Sequence, residues 1–424
     1  MEMWKRTPTE IHRLEADAAR RVPTIINHFT AMKHLLSILC LLVLAACGSH
    51  DEPGKNPDDL TTHRTVLVYM VADNTLGTSW GCDQADLDEM VKAAENGALN
   101  GGRLIVYHNR PGTAKGNVPQ LLEVTKNGIT TLKEYPDDSM VYSIDPERIK
   151  EVIADTKRLA PAKDYGLVLW SHANGWLENL GSNDEGNYRG RAFGDDRGKH
   201  IKITTLASTL SGNYFSFIYF DCCLMGTVEV AYEMRRLTPV IVASPTELPI
   251  DGMPYDKNVA AFFVKGLPDM LLAARNTFEW YSQPDAVDPY CQMVVINTDG
   301  LDGLADASRQ IFADVTAYPA STSGIQKYVR SGAGKCYIYD LKEYMTMTAG
   351  ENRTKLTAFD DAFDATVASA LSTPMGIGSL TIRSYNGLGS FIILSAEDVT
   401  YRGYNNCAWY RDVVSASPLY KLPG

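Results

Sequence analysis

Five short runs constrain this chain more than any other feature: TVLVYMV at 65–71, RLIVYH at 103–108, YGLVLW at 165–170, FSFIYF at 215–220 and PVIVAS at 239–244. Each is apolar at consecutive positions rather than at alternate ones. A strand of that kind has no face to offer water, so it belongs in a parallel sheet covered on both sides. Between the runs lie amphipathic stretches. Leu87, Met90, Val91 and Ala94 form one apolar stripe, and Ile149, Val152, Ile153 and Leu159 form another, opened by Asp145 as N-cap and Pro146 as first helical residue. Strands alternating with helices predict a doubly wound α/β sheet with helices on both faces.

Beyond about residue 257 the pattern turns more helical. Helices are expected over 258–281 and 299–317, with a strand CQMVVIN at 291–297 and a late strand SFIIL at 390–394 returning to a sheet. No internal repeat appears, and no Gly/Ser-rich linker imposes a boundary. A length of 424 residues fits two or three domains, or one large α/β domain with additions. With 45% hydrophobic and 21% charged residues and only 33 Gly and 20 Pro, the chain is neither disordered nor collagen-like.

The longest apolar run, Leu35 to Ala46, has 12 residues, too few to span a bilayer as a mature helix. Preceded by Met32, Lys33 and His34, it reads as a signal peptide over 32–46, which makes residues 1–31 upstream sequence outside the translated protein. Leu44-Ala45-Ala46-Cys47-Gly48 resembles a bacterial lipobox. That implies lipid on Cys47 and an exported, membrane-anchored lipoprotein of the cell envelope or surface, with 47–62 as an acidic tether. The whole sequence carries 40 Lys+Arg against 51 Asp+Glu, and loss of residues 1–46 leaves 34 against 47, a net charge of −13. The basic footprint of a nucleic-acid binder is missing, so no nucleic-acid partner is expected. Besides Cys47, six cysteines remain, Cys82, Cys222, Cys223, Cys291, Cys336 and Cys407, too sparse for a disulfide framework and without zinc-like spacing.

In an open parallel sheet, functional groups gather beyond the carboxyl ends of the strands. Two such ends are chemically loaded here. YGLVLW runs into Ser171-His172-Ala173-Asn174-Gly175-Trp176, and FSFIYF runs into Asp221-Cys222-Cys223-Leu224-Met225-Gly226. An imidazole beside a thiol lowers its pKa and turns it into a nucleophile. Strand alternation then separates the two cysteines: Ile218, Phe220 and Cys222 point one way, into the core, while Tyr219, Asp221 and Cys223 point the other. Cys223 is therefore the candidate nucleophile and His172 its base. Asp221 would sit about 6 to 7 Å from the sulfur, the reach of a pocket that recognises an Arg or Lys side chain.

These segments, with VLVYMVADNTL at 66–76, DLDEM at 86–90 and DCCLMGTVE at 221–229, resemble the clostripain family of cysteine peptidases, relatives of gingipain, legumain and caspase. The resemblance runs from about 64 to 260 and thins beyond. It implies a caspase-like α/β fold, with a catalytic domain over 63–260 completed by a helical region over 261–424. It also implies a His-then-Cys dyad, cleavage after basic residues, and self-processing. The family's block reads Asp-Ala-Cys-Leu-Met, which maps the nucleophile onto Cys223 and puts Cys222 at the Ala position. By the same matching Asp221 belongs to the specificity pocket, and Asp251 in PIDGMPY is a candidate second wall. The family's commoner His-Gly pattern is His172-Ala173 here, so the oxyanion would accept from the backbone N–H groups of Ala173 and Cys223. Asp73 and Asn74 are expected to orient the site without taking part in the chemistry.

Between the two strand ends lies a polar stretch, Leu177 to His200, long enough to be functional or mobile. Arg189 and Arg191 within it are the candidate self-cleavage sites. No metal or other cofactor is required by a thiol mechanism; calcium is open, although no EF-hand-like run supports it. The expected partners are proteins or peptides bearing Arg or Lys, and a membrane through Cys47. Two rival readings stand beside this one: the same dyad with a non-basic residue preferred, and a lipid-anchored binding protein that has kept the fold without turnover.

Overall fold

The computed structural model describes residues 62–112, 116–136, 140–178, 192–330 and 335–422. Its strands are β1 (Arg64–Val71), β2 (Arg103–Asn109), β3 (Gln120–Thr125), β4 (Gly128–Glu134), β5 (Asp164–Trp170), β6 (Phe193–Asp196), β7 (Lys199–Ile201), β8 (Phe217–Asp221), β9 (Val240–Ala243), β10 (Gln292–Asn297), β11 (Tyr339–Asp340) and β12 (Val367–Ser372). Nine of them form one sheet in the order β12-β10-β9-β8-β5-β1-β2-β3-β4. The five strands foreseen as continuous apolar runs are its parallel centre, β2-β1-β5-β8-β9. Antiparallel pairs flank them, β3 and β4 on one side and β10 and β12 on the other. The fold is thus the caspase-like α/β arrangement, with a mixed sheet.

Alternate residues of β1 serve opposite layers. Leu67, Tyr69 and Val71 enter one core, and Val66, Val68 and Met70 enter the other. The first core also takes up α2 (Pro146–Leu159), α3 (Ile203–Leu210), α4 (Val228–Met234) and α7 (Leu301–Phe312); the second takes up α1 (Cys82–Glu95), α5 (Tyr255–Phe262) and α6 (Met270–Tyr281). This two-sided cover is why the strands carry no polar face. Arg64 is fully buried at the start of β1, where its guanidinium reaches Asp164 on β5 at 2.5 Å and 3.1 Å and the carbonyls of Phe262, Val264 and Gly266. Such a saturated donor set is what makes a buried cation tolerable.

Three expectations change. The helix foreseen over 258–281 is broken into α5 and α6, because Gly266 takes a left-handed φ of 84° and Pro268 cannot continue a helix. Asp145 stands at the N-cap of α2, but its carboxylate accepts from the N–H of Tyr142 instead of from the helix. The late segment 390–394 does not rejoin the main sheet. Only Gly389–Ser390 pairs, with β11, and the N–H groups of Phe391 and Leu394 donate to the carboxylates of Glu229 and Asp398. The strand that does return is β12, whose alternating half-buried pattern VASALS gave little apolar signal.

Candidate active site

β5 and β8 are neighbours, with Trp170 opposite Asp221. Paired strands lie about 4.8 Å apart, so the segments leaving them, Ser171-His172 and Cys222-Cys223, start side by side. Both line one cavity of about 280 Å³, together with Asp221, Glu247, Leu248, Asp288 and Tyr290.

Ile218, Phe220 and Cys222 pack into the layer of α2 to α4, whereas Tyr219 faces the layer of α1, α5 and α6. Asp221 turns the second way: its carboxylate accepts from the N–H of Met253 and the hydroxyl of Tyr255, both at 3.0 Å. Burial pushes this carboxyl up to about 7, against those two donors and with Glu89 adding to the rise. Gly252 lets the turn close over it, for a Cβ there would stand 2.9 Å from Asp221 Oδ1.

Cys223 is half-buried between the two layers, and its Sγ accepts from the N–H of Leu248 at 3.4 Å. Burial pushes the thiol up to about 12; the Leu248 N–H and Arg330 pull it down, while Glu247 and Asp221 oppose them. Burial thus works against the lowered thiol pKa that the sequence suggested. Cys222 is buried, and burial raises its thiol well above the ordinary range. The six cysteines of the described residues are all free.

The turn after Cys223 is demanding. Leu224 takes a left-handed φ of 65°, with its N–H on the Thr246 carbonyl, and a Cβ on Gly226 would lie 2.5 Å from the nitrogen of Pro245. His172 is held from both sides. Its carbonyl accepts from Gly194 on β6 and Ala173 bridges Phe193, while its Nε2 pairs with the Thr75 hydroxyl at 2.8 Å. Asn74 ties the same corner, donating to the carbonyls of Val71 and Asp195 and to Ser171 Oγ. The Asp73 carboxylate accepts from Gly112. β6 and β7 form a hairpin within the stretch read as one long loop.

Asp251 is exposed and lines a neighbouring cavity with Trp280, Tyr281 and Asp285, which meets the first at Asp288. Cys47, Arg189 and Arg191 lie outside the described residues. Glu247, Asp288 and Tyr290, which line the cavity, and Thr75, which reaches His172, escaped sequence reasoning, since none sits on a strand or helix period that points to the site. DLDEM did leave a signal: Asp86 accepts from Trp170 Nε1 at 2.6 Å and Glu89 from the N–H of Tyr255 at 2.8 Å, so α1 braces the wall that carries Asp221.

The sequence profile of the clostripain family matches residues 68–397. The chain belongs to the clostripain family. Two solved structures agree over most of their length. An inactive protease zymogen from Parabacteroides distasonis is 29% identical with a TM-score of 0.71, and the match covers 83% of this chain and 98% of that one. A secreted cysteine protease from Bacteroides thetaiotaomicron, in complex with an irreversible peptide inhibitor, is 26% identical with a TM-score of 0.68, covering 83% and 99%. No curated protein matches the chain. This clostripain-family member is a cysteine protease acting on peptide substrates. Among its described residues no group of three or more His, Cys, Asp or Glu is placed to hold a metal ion, and no helix is long and apolar enough to cross a membrane.

Proposed function

We propose that this protease is an endopeptidase cleaving after Arg, and after Lys, with Cys223 as nucleophile and His172 as the group that takes and returns its proton. The observation that carries the reading is one cavity lined by a thiol, an imidazole and the buried carboxylate of Asp221. Because burial disfavours the thiolate, attack and deprotonation go together: His172 accepts the proton as Sγ bonds to the carbonyl carbon. The oxyanion accepts from the backbone N–H groups of Ala173 and Cys223. His172 then protonates the leaving amine, and a water that it deprotonates releases the acyl group. Asp221 holds the guanidinium or ammonium of the residue before the cleaved bond, with Asp251 contributing from the adjoining rim.

Self-cleavage after Arg189 or Arg191 activates the chain in this scheme, by withdrawing a basic side chain from the Asp221 pocket; that a relative was captured as an inactive zymogen accords with such a step. Export accords with the secreted relative, and the lipobox-like run makes Cys47 the membrane anchor. The test is a set of reporter peptides with Arg, Lys, Asp or Asn before the cleaved bond, offered to wild type and to Cys223→Ala. Hydrolysis of the Arg and Lys peptides by wild type alone is expected. Activity persisting in Cys223→Ala, or faster turnover of Asp or Asn peptides, would overturn the assignment.

A further inference from the structure

The cavity wall carries three carboxylates, Asp221, Glu247 and Asp288, and no Lys or Arg. One basic side chain of a substrate can engage Asp221, which lies deep and already accepts from two protein donors. Glu247 is differently placed. It lines the same cavity next to Leu248, whose N–H touches the Cys223 sulfur, and its charge is close enough to raise the Cys223 thiol. Its side chain is only 17% exposed, and the described structure gives it a cation of its own: Arg330 Nε lies 3.3 Å from Glu247 Oε2. Arg330 is 40% exposed at the cavity rim and is close enough to lower the Cys223 thiol. A part-buried carboxylate of the cavity wall is therefore already paired with a guanidinium that is itself partly open to solvent.

We infer that Glu247 is a second cation-recognising position of the cleft, occupied at rest by Arg330, and that substrates with a second Arg or Lys within two residues of the cleaved bond are hydrolysed in preference to those with one. The inference rests on the proposed cleavage after basic residues. Exchange of Arg330 for a substrate guanidinium conserves the ion pair, so the substrate gains a contact without leaving a buried carboxylate unpaired. A neutral residue at that position gains nothing, because Arg330 stays.

Three reporter peptides test this in the full-length protein: one with a single Arg before the cleaved bond, one with a further Arg on the amino side and one with a further Arg on the carboxyl side. In wild type the kcat/KM of one of the doubly basic peptides is expected to exceed that of the singly basic one by about tenfold at low salt. Glu247→Gln should bring that ratio down to about one, and Arg330→Gln, which removes the internal competitor and leaves Glu247 intact, should raise it above wild type. A ratio near one in wild type, or a preference that survives Glu247→Gln, overturns the inference while cleavage of the singly basic peptide still stands. If no basic peptide is cleaved, the parent reading falls and this one with it.

Discussion

In the proposed reading specificity turns on Asp221, and its protonation makes a measurable demand. Burial holds its carboxyl at about 7, so near neutrality it is only partly ionised in the free enzyme. A bound guanidinium favours the ionised form and lowers that value, so binding below about pH 7 must expel a proton. The KM of an arginine peptide, divided by that of its uncharged citrulline counterpart, is expected to rise about tenfold per pH unit on going below about 7 and to level off above it. Kinetics from about pH 5 to about pH 9 check this; a flat ratio would remove Asp221 from the pocket. Taking the two substrates together cancels any pH dependence common to both. The side to which Asp221 points was legible in the sequence, because alternation fixes it within β8 before any contact is known; Cys223 lies two residues past that strand and packs against both layers. Thr75 and Glu247 were not, since only the folded sheet brings their loops to that end.

At the level of elements, the site is made by register. Trp170 opposite Asp221 sets the His and Cys segments in adjacent lanes, and β1, beside β5, delivers the Ala72-Asp73-Asn74-Thr75 corner to the same rim. The parallel strands could be foreseen because two-sided burial writes itself as unbroken apolar runs. β4 and β12, the two edges, could not, since edge strands with one half-exposed face resemble ordinary polar chain. The corner after β1 carries a prediction of its own. Its Thr75 hydroxyl fixes the ring of His172 through Nε2, so Thr75→Val keeps the shape and removes the hydrogen bond. A positioning role predicts a kcat lowered roughly tenfold with KM little changed and a displaced pH–rate profile, partly rescued in Thr75→Ser. Equal losses in kcat for Val and Ser, with an unmoved pH profile, would reduce Thr75 to a packing residue.

Across the whole molecule, the part of the chain beyond residue 260 is built into the support of the turn that follows Cys223. Gly389 donates its N–H to the carbonyl of Gly226 and bridges Thr227, and the N–H of Phe391 and the hydroxyl of Ser390 donate to Glu229, on the helix that follows Cys223. Glu229 is fully buried, and burial raises its carboxyl to about 7 despite those donors. Its value in the unfolded chain is about 4.3. A carboxyl raised in this way adds stability that is complete below about pH 4 and is lost as pH rises through about 7, because the folded state then has to hold a desolvated charge. The size is of the order of 3 kcal/mol. Glu229→Gln keeps an oxygen for Ser390 and Phe391 but cannot ionise. The wild type is therefore expected to lose stability relative to the variant between about pH 4 and about pH 7, as read from denaturant unfolding at several pH values across that window. Parallel curves for the two proteins would mean that Glu229 does not change its protonation on folding. A divergence that reaches activity as well, with the wild type losing turnover as Glu229 ionises, would show that the carboxyl-terminal segment holds the nucleophile turn in its working shape.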